Sequence, residues 1–306
     1  MIQKIEQHFL LIIVVFLSLS LLFPQAFIGL KWVIPVGLGV IIFSIGLNTS
    51  IYCLKPVLSR PTSILSLILL RYAFMPSAAF VLAKLCHLTQ IETIGLIILG
   101  TSPGGTAANV MAYLSGSNVA MTVLLTFGTT LLSPFVTPAL IYWFLHQEVQ
   151  IDFWGMFVHI SSLILLPITA GVLLNYFKVP AIEKLKNWTP SLAIIIIGIL
   201  VGCVCALTHE TLLKTPMTLI LLVAALNSLG YTFGWMVARL FCWEKSCVAA
   251  VAFDYGIFDC VVTISICTTF FSIETAVPAV LMGVIQSMTA PLLVRKIKRT
   301  LALSIG

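Results

Sequence analysis

Two stretches of this chain put polar chemistry where the surrounding sequence is apolar. The first, Phe253-Asp254-Tyr255-Gly256-Ile257-Phe258-Asp259-Cys260, sets two carboxylates inside a long hydrophobic segment. An ionised aspartate at the centre of a bilayer costs roughly 2.5–3.5 kcal/mol on the mildest scale, so an acid in such a place points to function. The second, Thr101-Ser102-Pro103-Gly104-Gly105-Thr106-Ala107-Ala108-Asn109, breaks another apolar segment with proline and paired glycines. A helix interrupted inside a membrane bares backbone groups, which are tolerated only where they line a cavity or are buried in protein. Its N–H ends suit anions and its carbonyl ends suit cations. After this break come Thr106, Asn109, Thr122 and Thr126, neutral oxygen ligands among Leu, Val and Met. Thr122 and Thr126 are four apart and share one helix face. With Asp254 they make a site for a hard monovalent cation. Arg71, in Leu69-Leu70-Arg71-Tyr72-Ala73-Phe74-Met75-Pro76, is a third charge within an apolar run. A guanidinium cannot lose its proton and so needs a carboxylate.

Composition says what must position these groups. The chain has 306 residues, 60% hydrophobic and only 8% charged, where a soluble domain carries about 25% charged residues. It reads as an all-α polytopic membrane protein forming a single membrane unit, with lipid around it. The net charge of +6 does not imply nucleic acid, because the sixteen Lys and Arg are scattered between apolar runs instead of forming a basic face. Cys203, Cys205, Cys260 and Cys267 lie inside apolar segments without zinc-ligand spacing to histidine, and read as small buried hydrophobes. Lys4 and the apolar run from Phe9 to Phe23 look like a signal peptide. The run continues through Pro24-Gln25-Ala26-Phe27 with no small-residue cleavage site, and so reads as a first span. No nucleophile–base arrangement, Walker loop or metalloprotease motif occurs, so the chain is not expected to be an enzyme.

At about 20 apolar residues per crossing, ten spans are expected: 9–25, 32–50, 62–84, 92–114, 119–145, 153–176, 190–208, 215–241, 246–271 and 276–294. With a cytoplasmic N-terminus, Lys4, Lys55, Arg60, Lys178, Lys184, Lys186, Arg239, Lys245, Arg295, Lys296, Lys298 and Arg299 fall inside, and only Lys31, Lys84 and Lys214 outside. Positive charge favours the cytoplasmic side, so both termini are expected there, in a plasma or inner membrane. Because five is odd, a five-plus-five division makes the halves inverted repeats. Spans four and nine are each polar and broken. Spans five and ten each end in a small residue followed by proline, Ser133-Pro134-Phe135 and Ala290-Pro291-Leu292. Trp32, Trp143, Trp154 and Trp188 near span ends fit an interfacial belt.

The run Pro-Gly-Gly-Thr-Ala-Ala-Asn-Val-Met from Pro103 to Met111, continuing through Asn118-Val119-Ala120 to Ser133-Pro134 and Thr137-Pro138, resembles the bile acid:sodium symporter family of secondary transporters. The resemblance extends over the whole chain in span number and break positions. It implies a panel domain (approximately 1–60 and 150–210) and a core domain (approximately 61–149 and 211–300) whose broken helices 4 and 9 cross. A small organic anion would bind at the crossing, with sodium behind it.

Carried over residue by residue, the resemblance puts Asn109, Thr122, Thr126 and Asp254 at a first sodium site, with Asp254 in place of the family's Glu and Ala108 in place of its usual Ser. At the second site Arg71 and Phe258 stand where the family has Gln ligands, and Asp259 replaces an Asn near the substrate. We expect the Arg71 side chain to take the space and charge of the second sodium, paired with Asp254, Asp259 or both. Two aspartates and one arginine leave a charge of minus one. That predicts coupling to one sodium or one proton, or no coupling, and no other cofactor. Gly104, Gly105, Thr106, Asn109 and Asp259 are the expected solute contacts. The solute is an organic anion recruited by Arg71 and the helix ends, or a neutral or zwitterionic metabolite. Rival readings are a cation/proton antiporter of related architecture and a membrane ligand sensor.

Overall fold

A computed structural model describes residues 9–30, 32–48, 61–147, 149–177, 188–207, 209–241 and 244–302. These are almost wholly helical. In chain order they form α1 (Phe9–Leu22), α2 (Pro24–Ile28), α3 (Val33–Asn48), α4 (Pro61–Leu85), α5 (Gln90–Thr101), α6 (Ala107–Ser115), α7 (Val119–Leu145), α8 (Phe153–Tyr176) and α9 (Thr189–Leu207). There follow α10 (His209–Leu213), α11 (Met217–Phe241), α12 (Lys245–Gly256), α13 (Cys260–Phe270), a 3-10 turn (Ile273–Ala276) and α14 (Val277–Ala302).

The apolar runs make the helices and short polar residues set their ends. Thr89 and Glu92 close a capping box on α5, the Thr89 hydroxyl accepting from the Glu92 N–H and the Glu92 carboxylate accepting from the Thr89 N–H at 3.0 Å. Asn118 caps α7 through the Met121 N–H at 3.0 Å, and Asp152 caps α8 through the Gly155 N–H at 2.8 Å. Gly116 ends α6 in the left-handed region, at φ 75°, where glycine carries no steric cost.

Among the described residues, five helical stretches are long and apolar enough to cross a membrane: Pro61–Leu85, Val119–Leu145, Phe153–Tyr176, Met217–Phe241 and Ile273–Lys298. The expected spans 92–114 and 246–271 each divide into two shorter helices, α5 with α6 and α12 with α13. The first expected span also divides, since α1 stops before Phe23 and Pro24 opens α2. Pro134 and Pro138 lie within the continuous α7, and Pro291 within the continuous α14. Trp32, Trp143, Trp154 and Trp188 are exposed, as interfacial side chains are. The orientation rests in part on Lys4, Lys31, Lys55, Arg60, Lys178, Lys184 and Lys186, which lie outside the described residues.

Helix packing runs through the whole bundle, with α7 on α8 among the larger contacts. α3 packs on α8, and α9 on α1, α2 and α3; α4 packs on α5 and α11, α12 on α6, α7 and α11, and α14 on α5, α6, α11 and α13. The paired breaks lie among α4–α7 and α11–α14, with Ile41 of α3 and Ile197 and Val201 of α9 across a small cavity from them.

Candidate functional site

The site is built on two helices that stop in mid-bundle. Pro103 has no N–H with which to continue α5 and drives the residue before it into extended backbone; Ser102 accordingly sits at φ −71°, ψ 151°. α12 stops at Gly256, and Ile257 is extended at φ −107°, ψ 116°. The two freed segments run antiparallel. The Gly105 N–H donates to the Ile257 carbonyl at 2.9 Å and the Asp259 N–H to the Pro103 carbonyl at 3.1 Å, leaving Gly104 directly opposite Phe258. This is the closer of the two antiparallel pairings, and the paired glycines make it possible. A Cβ on Gly104 would fall on the Asp254 carboxylate, and one on Gly105 on the Phe258 carbonyl.

Gln286 of α14 holds the second break like a short strand. Its Oε1 accepts from the Phe258 N–H at 3.0 Å and its Nε2 donates to the Phe258 carbonyl at 3.2 Å.

The carbonyl ends of α5 and α12 converge on Arg71. Its Nη1 donates to the Asp254 carbonyl at 2.5 Å and its Nη2 to the Ser102 carbonyl at 3.4 Å. Nη1 also lies 4.0 Å from Asp254 Oδ2, and the side chain is 1% exposed, so it does not reach toward an interface. Its guanidinium carbon is 5.2 Å from the centre of the Phe258 ring and 5.8 Å from that of Tyr255. Helix C-termini carry partial negative charge, so the guanidinium stands where a cation would be attracted.

The expected pairing is narrowed here, because Arg71 pairs with Asp254 and not with Asp259. Asp259 directly precedes α13, and its short side chain turns onto that helix, Oδ1 accepting from the Val261 and Val262 N–H groups at 3.1 and 3.2 Å.

On the other side of Asp254, Oδ1 accepts from the Thr126 hydroxyl at 3.1 Å, and that hydroxyl lies 3.4 Å from Asn109 Oδ1. Asp254 Oδ2 is buried with no hydrogen-bond partner. A carboxylate, a hydroxyl and an amide oxygen with one oxygen left over fit a hard cation. Among the described residues no three His, Cys, Asp or Glu side chains gather as a metal centre would need. The Thr122 hydroxyl donates to the Asn118 carbonyl at 3.3 Å and not to Asp254. Ala108 supplies no side-chain oxygen and packs with Phe253 and Ile257.

A cavity of about 40 Å³ lies against the crossing, lined by Gly105, Thr106, Ala107, Asp259, Cys260 and Gln286, with Ile41, Ile197 and Val201 on the facing helices. Of the expected solute contacts, Gly105, Thr106 and Asp259 line it. Gly104 and Asn109 do not, since Gly104 lies against the Asp254 carboxylate and Asn109 is bonded to Thr126. Arg71 is also absent from the wall, being held behind the crossing by the two helix ends.

Several contributors escaped the sequence reading. Thr137 donates to the Thr101 carbonyl at 2.9 Å, Asn227 to the Gly256 carbonyl at 2.8 Å, and the Gly104 N–H donates to the Thr129 hydroxyl at 3.2 Å. Asn227 and Gln286 are lone amides within apolar spans, which was the signal available to find them.

The family model described as the Sodium Bile acid symporter family matches residues 35–215. The chain belongs to that family. It is 30% identical over 287 residues to the uncharacterized sodium-dependent transporter YocS of Bacillus subtilis, a match covering 94% of this chain and 89% of that protein. Over 275 residues it is 30% identical to the probable sodium/metabolite cotransporter BASS1, chloroplastic, of Oryza sativa, covering 88% and 67% of the two. The sodium/bile acid cotransporter 4 of Mus musculus is 24% identical over 236 residues, 74% of this chain and 54% of the mouse protein. As a member of the symporter family, with several apolar helices, this is a multi-pass membrane transporter and not an enzyme.

Proposed function

We propose that this chain is a secondary carrier that moves a small organic solute by alternating access, coupled to one monovalent cation. The observation that supports this most is the seat of Arg71, a fixed positive charge bonded to the carbonyl ends of both interrupted helices. In carriers of this kind such ends attend a dissolved cation. Phe258, which cannot ligate sodium, covers the guanidinium from one side. Asp254, Thr126 and Asn109 hold the remaining cation, sodium in the relatives' names, through Asp254 Oδ1 on the side away from Arg71.

In this reading the chain makes ten crossings, counting α5 with α6 and α12 with α13 as one each, arranged as two inverted five-helix halves with cytoplasmic termini. α1–α3, α8 and α9 form the panel; α4–α7 and α11–α14 form the core. Ile41 and Val201 on the panel side and Asp259 and Gln286 on the core side make the cavity wall shared between them. Rocking of core against panel, with pivots near Pro134, Pro138 and Pro291, would open it to each face in turn.

Uptake into proteoliposomes under sodium, choline and pH gradients tests the proposal. We expect first-order dependence on sodium; a steep second-order dependence would sink the single-cation reading. Proton release on sodium addition without solute movement would favour an antiporter instead.

A further inference from the structure

The cavity at the crossing has two unlike poles. One is the start of α6, where Thr106 and Ala107 line the space and their amides have no acceptor among the described residues. Free amides at a helix N-terminus form an anion site. The other pole is Asp259, 7% exposed and the sole charged side chain in the cavity wall. Its Oδ1 is spent on the Val261 and Val262 amides, while Oδ2 has no protein partner among the described residues. The same bonds close the N-terminus of α13 to any solute anion. Arg71 gives Asp259 no relief, since its guanidinium is bonded to Asp254 and Ser102. Between the poles the walls are apolar: Ile41, Ile197 and Val201.

A plain carboxylate in this space would face a second carboxylate across a low dielectric, where like charges repel strongly. A plain amine would satisfy Asp259 and leave the α6 amides idle. We propose that the solute is a small zwitterion, its ammonium on Asp259 and its carboxylate on the amides that open α6. This rests on the carrier reading and assigns its substrate class. It also agrees with the charge count, because a zwitterion adds no net charge and the minus one left by Asp254, Asp259 and Arg71 is still met by the single coupled cation.

The test uses the purified full-length protein, in detergent for thermal unfolding and in proteoliposomes for uptake. The probes are glycine, 3-aminopropanoate and 4-aminobutanoate, each set against its deaminated acid and its decarboxylated amine. At least one zwitterion should raise the unfolding temperature and be taken up with a preference on the order of tenfold over both analogues. Asp259→Asn keeps the helix cap, since Asn caps as well as Asp, and should erase that preference while the protein stays folded.

Four results would overturn the proposal: equal or better response to the acid, an unchanged preference in Asp259→Asn, no response to any zwitterion, or acid uptake driven by a proton gradient and lost in the variant. The last would make Asp259 a proton site. Zwitterion binding in detergent without uptake of any probe would instead refute the carrier reading and leave the charge preference of the site standing.

Discussion

Arg71 holds the main chain of Asp254 more closely than its side chain, with Nη1 at 2.5 Å from the carbonyl and 4.0 Å from Oδ2. The guanidinium thus serves chiefly as a cap on helix ends and leaves the Asp254 carboxylate with an unbonded oxygen. In the proposed carrier a dissolved cation would share this aspartate with the fixed one. Truncating one partner of a buried charge pair costs about 3–5 kcal/mol, so Arg71→Gln should lower the unfolding temperature sharply. Arg71→Lys should recover little, because a single ammonium lacks the planar fork that spans two carbonyls. The double variant Arg71→Gln with Phe258→Gln should steepen the sodium dependence of uptake from first toward second order. An unchanged sodium order in that variant would separate Arg71 from coupling.

The two threonines predicted as a pair should differ. Thr126 donates to Asp254 Oδ1, and hydrogen bonds to charged groups contribute about 1.5–3 kcal/mol. Thr126→Ala should raise the sodium concentration for half-maximal uptake by on the order of tenfold or more. Thr122→Ala removes only a bond to the helix's own backbone and should change it about twofold or less. A sodium titration of both variants settles the contrast, and equal effects would return Thr122 to the ion site.

The contrast shows what the sequence could convey. The breaks were legible because proline and paired glycines in an apolar run have few other uses, and Asp254 and Arg71 because intramembrane charge is costly. The partner of each charge was not legible. Asp259 is five residues beyond Asp254 and equally acidic, yet the helix that begins after it claims its carboxylate, a competition that only the local fold decides. Thr122 and Thr126 share a face by spacing, but only Thr126 hydrogen-bonds the Asp254 carboxylate. Asn227, Thr137 and Gln286 act on backbone carbonyls far away in sequence, and nothing in their neighbours marks the carbonyls they serve.

Gly104 tests the close crossing itself. A methyl group there would fall on the Asp254 carboxylate, and with the backbone pinned through Gly105 and Asp259 the carboxylate would have to move off the Thr126 hydroxyl to make room. Overpacking of this kind costs roughly 1–3 kcal/mol. Gly104→Ala should express and fold with a lower unfolding temperature, and should lose sodium-dependent uptake. Full activity in Gly104→Ala would mean that the carboxylate is not confined as described.

Gln286 is bonded to both main-chain groups of Phe258, accepting at 3.0 Å and donating at 3.2 Å. Gln286→Glu keeps the acceptor and loses the donor, so an oxygen would face the Phe258 carbonyl in a buried setting and add a second carboxylate near Asp259. An unsatisfied buried polar group costs about 1–3 kcal/mol, and more when charged. Gln286→Ala removes both bonds but enlarges the cavity beside them, and water can enter a polar cavity of that size and take over the exposed groups. The smaller change in volume should therefore be the more damaging one, with unfolding temperature and uptake rate both falling in the order wild type, Ala, Glu. The opposite order, with Ala worst, would mean that Gln286 acts by filling space and not by holding the broken helix.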